Sequence, residues 1–423
     1  MVNTKYIWKF VSIVLLFLFF GMGRVDAYDI NWEQKIYPDL GEGSSLFGND
    51  VEIQGNIAVV SAYLEDSIAE DSGSVYVYIW EAGFWHQVQE LVQTSNESSP
   101  LSAQFGTSIA LDGDYLVVGA PTDGNHKGFT LGAQGAVYVY KWSYTDNKFV
   151  DYKTITDPNL VEGSLFGFSV DIDGDRIVVG APQISLNSGC YFESGKTYVF
   201  KLTPDWHTEA VFEPAHNTCD TYAYEVKISG DFIIVNAMED DFHGEDSGAV
   251  YVYHYDERLD RWTEFQKIKY LDPQTYGYFG QSIDIYKEFI VISSGHIVPY
   301  GGNSRPVFIY KLMGDNTFQL VQEISIATNN FYFGHDLSLV GNYLIISNPF
   351  DSEVSNAGKI HTYYYDSNSS TFVANMVLEP RVGQTNDAFG YSVMTDGEKI
   401  IVGSPFDDDN GHSSGSAYIY EIN

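Results

Sequence analysis

Seven times along this chain of 423 residues a Phe-Gly pair, or a close variant, recurs at nearly constant spacing. The copies begin at Phe47, Phe105, Phe166, Tyr222 (followed by Ala), Phe279, Phe333 and Phe389, in steps of 58, 61, 56, 57, 54 and 56 residues. A period of this size marks a repeat architecture, in which each unit buries its apolar faces on its neighbours. The repeats account for nearly all of the chain beyond its first thirty or so residues. No space is expected for an appended catalytic domain.

Each copy reads as four strands. In the third, Phe168 to Ile172 alternates apolar and polar at period two, the pattern of a strand with two unlike faces. Asp173-Gly174 suits a two-residue hairpin, because Gly tolerates the positive φ of a primed turn. Ile177-Val178-Val179 is a β-branched run fit for burial on both faces, and Gly180-Ala181-Pro182 closes it, since Pro cannot donate to a central ladder. A polar loop leads to Gly195 and a third strand, Lys196 to Phe200. Val75 to Tyr78, Val137 to Tyr140, Val250 to Tyr253, Val307 to Tyr310 and Ala417 to Tyr420 are its counterparts. A more polar fourth strand follows, as in Trp262 to Ile268. Four antiparallel strands per unit, with no helical period anywhere, predict a propeller blade.

The seventh copy runs out at Asn423, after its third strand. Its missing outer strand stands at the other end of the chain, where Trp32-Glu33-Gln34-Lys35-Ile36 resembles Trp85-His86-Gln87-Val88-Gln89. Pairing the two would close the ring and remove two exposed sheet edges. The expected fold is therefore all-β: a seven-bladed propeller over residues 28–423, closed by its N-terminal strand.

These residues resemble the FG-GAP repeats of integrin α-subunit propellers and of related secreted propellers. Gly119-Ala120-Pro121 and Gly180-Ala181-Pro182 carry the second half of that motif, Gly403-Ser404-Pro405 comes close, and the remaining copies are degenerate. The resemblance implies blades whose glycines allow close backbone approach and whose Phe fills the space between sheets. Integrin-type blades often hold calcium in the first hairpin. Here that hairpin shrinks to Asp112-Gly113-Asp114, Asp173-Gly174-Asp175, Gly230-Asp231 or Asp396-Gly397-Glu398, too short to wrap an ion that takes 6–8 oxygens. No cofactor is expected; Asp407 and Asp409 in Asp407-Asp408-Asp409-Asn410-Gly411 are the candidates for a calcium site.

Residues 1–27 read as a secretory signal: Lys5 and Lys9, an uncharged stretch from Phe10 to Gly23, then Val25-Asp26-Ala27. That stretch is short of the roughly 20 residues a spanning helix needs. Secretion or residence in the secretory lumen follows, with no membrane span after cleavage. Cys190 and Cys219 are expected to form one disulfide, and Asn96-Glu-Ser and Asn368-Ser-Ser are acceptable glycosylation sequons. The formal charge of −35 disfavours nucleic acid and anionic lipid as partners.

The loops between second and third strands share a face with the links between blades. They gather acid: Glu65, Asp66, Glu70 and Asp71; Asp123; Glu239, Asp240, Asp241, Glu245 and Asp246; Asp351 and Glu353; Asp407, Asp408 and Asp409. Asp240, Asp241, Glu245, Asp246 and Asp407 to Asp409 are the candidate partner-binding residues. His126, His243, His296 and His412 lie in the same loops, too scattered for a zinc set. No P-loop, His-Glu-x-x-His or nucleophile elbow stands out, so no catalytic residues are assigned. The expected function is a non-enzymatic extracellular protein-binding module, acting as a monomeric ring through its acidic loop face. A glycan-binding propeller is the alternative, and a hydrolase the third reading.

Overall fold

The computed structural model describes residues 30–39, 43–93, 102–124, 134–157, 161, 163–183, 195–202, 206–214, 220–241, 246–270, 277–295, 305–326, 332–351, 357–381 and 385–422. Among them are 28 strands and no helix. The strands form seven sheets of four, and each sheet is an antiparallel meander. The blades are β2 to β5 (Val51–Gln54 to Phe84–Val92), β6 to β9 (Ile109–Asp112 to Lys148–Ile155), β10 to β13 (Ser169–Asp173 to Trp206–Phe212) and β14 to β17 (Tyr222–Ser229 to Arg261–Lys269). Then follow β18 to β21 (Phe279–Tyr286 to Phe318–Ile324), β22 to β25 (Leu337–Val340 to Thr371–Leu378) and β26 to β28 (Val393–Thr395 to Ser416–Ile422).

The seventh sheet is completed by β1 (Ile30–Ile36), which pairs antiparallel with β28 from Ile30 opposite Ile422 to Ile36 opposite Ala417. The first strands β2, β6, β10, β14, β18, β22 and β26 touch one another in a closed cycle. The fold is a seven-bladed β-propeller with its inner strands around a central channel, as the period required.

Second and third strands are buried on both faces, which explains their unbroken β-branched runs: Ile57–Ala62, Tyr115–Ala120 and Phe232–Ala237 expose at most their first residue. Fourth strands alternate buried with exposed, as the outer edge of a half-wet sheet should. Between sheets lie seven apolar layers. Each holds one aromatic ring of the repeat motif, edge-on to rings of the neighbouring third strand, as Phe105 is to Tyr138 (5.5 Å) and Phe389 to Tyr418 (5.1 Å). Edge-to-face packing of this kind is favourable beyond its buried area.

Backbone contact at each seam is close. The glycine two residues before the third strand's first β-branched position lies against the next Phe; a Cβ on Gly73, Gly135 or Gly415 would stand 2.1, 2.1 or 2.0 Å from that residue's carbonyl oxygen. Only glycine fits there. On the outer rim an amide belt repeats: Gln89 donates from Nε2 to Phe149 O (2.8 Å) and accepts at Oε1 from Phe149 N (2.9 Å). Gln34 does the same to Trp85, Gln266 to Phe318 and Gln322 to Phe372.

Candidate functional site

Counting from the Phe of each repeat, the residues three, five and seven positions on line the inner strands in three tiers. They include Asp50, Ser108, Ser169, Glu225, Ser282, Asp336 and Ser392 in the upper tier, and Glu52, Asp171, Lys227, Asp284 and Ser338 in the middle one. Their side chains reach sideways and bind the backbone of the next blade. Asp50 accepts from Ile109 N (2.8 Å), Glu225 from Ile283 N (3.1 Å) and Asp336 from Val393 N (2.7 Å); Asp171 and Asp284 do the same to Ile228 N and Leu339 N. In the lowest tier Asp112, Asp173 and Asp396 accept from the amides of Gly174, Gly230 and Gly55. The acidic turn residues therefore lock one blade to the next.

Lys227 is the only cation in these tiers. Burial raises the carboxyl groups around it, while Lys227 opposes the rise. Glu225 is pushed up to about 8, Asp284 to about 7, and Asp50 and Asp171 to about 6. Asp336 is raised too, but Val393 N, Leu337 N and Lys227 hold it down. The charge of Asp336 adds to the rise at Glu225. Asp336 accepts from two amides and Glu225 from one, and each such bond favours the charged form.

Above the upper tier, residues two positions after each Phe stand side by side around the channel mouth. Phe168 meets Tyr224 with ring centroids 4.5 Å apart, and His335 meets Tyr391 at 4.8 Å. Over blades five to seven this rim thickens into an aromatic patch, with Tyr391 against Phe406 (5.8 Å) and Tyr332 against Phe350 (4.7 Å). Arg305 lies over Tyr332, 5.4 Å from its centroid, and donates from Nη1 to Gln281 Oε1 (3.2 Å). Burial, reinforced by the Arg305 charge, holds His335 down at about 4, so its imidazole is neutral at physiological pH. The mouth thus offers flat apolar faces, a neutral imidazole, an amide and a guanidinium above paired carboxyls.

The acidic loop residues separate into two sets. Asp240 and Asp407 are buried beneath the loop face. Each carbonyl accepts from the seam glycine, Gly248 N or Gly415 N, and each carboxylate holds a lysine, Lys267 or Lys35. Glu65, Asp123 and Asp351 occupy the same register, three residues after the end of the second strand. Asp241 and Asp408 are exposed and cap their own loops, accepting from Asp246 N (2.8 Å) and Ser413 N (2.6 Å). Asp407 and Asp409, the pair considered for calcium, share the Lys35 ammonium at 2.5 and 2.6 Å. Among the described residues no group of three or more His, Cys, Asp or Glu is arranged to hold a metal ion. Asn368 sits exposed in the turn between β24 (Lys359–Asp366) and β25, its Nδ2 3.1 Å from Asp366 Oδ1. Cys190, Cys219, Glu245, Asn96 and residues 1–27 lie outside the described residues.

One serine motif escaped the sequence reading. Gly411-His412-Ser413-Ser414-Gly415 has nucleophile-elbow spacing, and Asp408 lies beside His412. Both partners face the same nitrogen: Nδ1 is 3.0 Å from Ser413 Oγ and 3.8 Å from Asp408 Oδ1. A relay needs the two ring nitrogens to serve different partners, so this exposed loop does not form one.

Solved propellers share the ring. A protein from Lactobacillus plantarum superposes with a TM-score of 0.51 at 14% identity, covering 79% of this chain and 86% of its own. A periplasmic gluconolactonase from Pseudomonas aeruginosa gives 0.51 at 15% identity, covering 83% and 89%. At such identity the likeness shows the fold alone. It nonetheless overturns one expectation: the non-enzymatic protein-binding module, and with it the exclusion of an enzyme, does not stand when an enzyme shares this ring. The physical fault lay in demanding a separate catalytic domain, since a channel mouth can itself carry the chemistry. Among the described residues no helix is long and apolar enough to cross a membrane.

The FG-GAP repeat model matches residues 31–78, 85–140, 149–200, 214–253 and 374–420, more than half of the chain. Most of these segments open on an outer strand and end on the third strand of the next sheet, and 31–78 opens on β1. The chain belongs to the FG-GAP repeat family.

Proposed function

We propose that this propeller is a hydrolase of small esters or lactones, with its centre at the channel mouth over blades four to seven. The observation that carries the reading is Glu225 in the upper tier, pushed up to about 8 by burial and by the charge of Asp336 two blades on, beneath the aromatic rim. In this reading Asp336, favoured in its charged form by Lys227 and two amides, accepts a proton from water as the water attacks the acyl carbon. Glu225, still protonated, gives its proton to the departing alkoxide. The acyl–oxygen bond breaks, a carboxylic acid and an alcohol form, and the pair regains its starting state by proton exchange. General acid–base assistance of this type is worth roughly 10²–10⁴ in rate. Aromatic faces at the rim suit the C–H face of a cyclic, hydroxylated substrate, and the gluconolactonase neighbour makes an aldonolactone the substrate to test first.

The leader-like residues 1–27 and the sequons support placement outside the cytosol, where Cys190 and Cys219 would be free to oxidise.

The test uses the full chain freed of residues 1–27. Proton release is followed with glucono-1,5-lactone and a panel of small esters and lactones, above the spontaneous rate. Turnover that falls at least 100-fold in Glu225→Gln and in Asp336→Asn, with thermal unfolding still cooperative, supports the assignment. No turnover across the panel, or variants as fast as the parent, rejects it.

A further inference from the structure

Six of the seven seams carry a glycine where the next Phe approaches: Gly73, Gly135, Gly195, Gly248, Gly358 and Gly415. The seam between blades five and six carries Arg305 in that register, two residues before Val307. The substitution has a backbone consequence. The residue preceding the motif Phe has positive φ at Leu46, Gln104, Leu165, Thr221, Tyr278 and Ala388, and Tyr332 is the exception. One seam has thus been rebuilt to admit the longest side chain in place of the smallest.

That side chain is held but not neutralised. In a chain with 57 acidic and 22 basic residues, a cation among carboxylates would be the default. Yet among the described residues no carboxylate lies within ion-pair distance of Arg305, and its one hydrogen bond goes to Gln281, a neutral amide. Nε is buried without a partner. A buried N–H left unpaired is destabilising, and the packing on Tyr332 gives it no acceptor. Repeats depart from their own rule where function demands it, and the planar fork of a guanidinium with no carboxylate beside it matches the two oxygens of a carboxylate or phosphate.

We infer that Arg305, steadied by Gln281 and Tyr332, binds an oxyanion of the ligand that occupies the channel mouth. The substrate class narrows to small hydroxylated molecules bearing a carboxylate or a phosphate. This rests on placing the active centre at the mouth, but it does not depend on turnover. His335 stays neutral beside the guanidinium, so it can accept or donate a hydrogen bond to the same ligand without adding charge.

The experiment measures binding, by calorimetry and by thermal shift, of inorganic phosphate, D-gluconate and D-glucose to the full chain, to Arg305→Gly and to Arg305→Lys. Arg305→Gly restores the residue of the other six seams and is expected to fold. The parent is expected to bind phosphate or gluconate in preference to glucose, and the preference should weaken with added salt. Arg305→Gly should lose at least 10-fold in affinity for the anion, and Arg305→Lys should lose less. Binding of phosphate alone assigns a phosphate ester, and of gluconate alone a carboxylate. Equal affinity in the parent and Arg305→Gly, no preference over glucose, or no binding of either anion overturns the inference. Arg305-dependent binding without hydrolysis of any ester would leave the anion site standing and reject only the hydrolase.

Discussion

Lys35 on β1 reaches Asp407, at the opening of the loop before β28, with its Nζ 2.5 Å from the carboxylate. Lys35 stands opposite Tyr418 in the ladder, and Lys267 stands opposite Tyr251 in the fourth blade, where it grips Asp240. The two sites are the same site. One is made within a single repeat and the other from the two ends of the ring.

Breaking the second of these should weaken closure specifically. Lys35→Met leaves Asp407, only 1% exposed, without its cation, and losing one partner of a buried pair costs about 3–5 kcal/mol. Lys35 is raised above its ordinary value by its two aspartates, against burial. Its contribution is therefore complete below about pH 10 and lost as pH climbs through the raised value. Urea unfolding of Lys35→Met, Asp407→Asn and the double variant checks this. A double variant no more stable than the sum of the singles predicts would count against the pairing.

Glycines of one φ class should differ sharply in tolerance. A Cβ on Gly135 would sit 2.1 Å from Phe166 O, whereas one on Gly113 would meet nothing within 4 Å. Gly113→Ala should cost only the left-handed backbone penalty, about 1–2 kcal/mol. Gly135→Ala must push two sheets apart and should cost about 3 kcal/mol or more. Thermal melts of the two variants side by side decide the matter.

Stability should fall between about pH 5 and 8. Glu225 in the folded protein titrates at about 8, above its ordinary value. Over that window the folded chain holds more protons than the unfolded one, so raising pH favours unfolding, by about 1.4 kcal/mol per unit of pKa separation at the limit. Gln in place of Glu225 can still accept from Ile283 N. Glu225→Gln should therefore flatten the fall and melt higher than the parent at pH 8.

Lys227→Met should act in the opposite sense. With the only cation of the tiers removed, Asp171, Asp284, Glu225 and Glu52 lose the charge that lowers them. The variant should be destabilised most at pH 8 and recover towards the parent at pH 5. A loss independent of pH would mean that Lys227 contributes packing, not charge.

The ring itself was legible because Phe-Gly, the β-branched runs and the stray Trp32 segment are local signals repeated seven times. Turn position slipped by one: Asp173 ends β10, and Gly174-Asp175 makes the turn. The fates of polar residues were harder to read. Asp50 and Glu52 alternate with Val51 and Ile53 as in any half-wet strand, and only ring closure converts the wet side into a narrow channel. Asp407 and Asp240 looked like surface acid because their lysines lie on fourth strands far along the chain. Arg305 had a signal that alignment of the seven copies on their third strands would expose: an arginine in a column of glycines.

The pairing of β1 with β28 has a consequence for biosynthesis. Within the ring β1 is translated before every other strand, and its partner after all of them. Six sheets can assemble on the ribosome while the seventh waits, with one strand unmatched for the whole of elongation. A factor that shields the unpaired edge of the seventh sheet during that interval would raise the yield of closed rings.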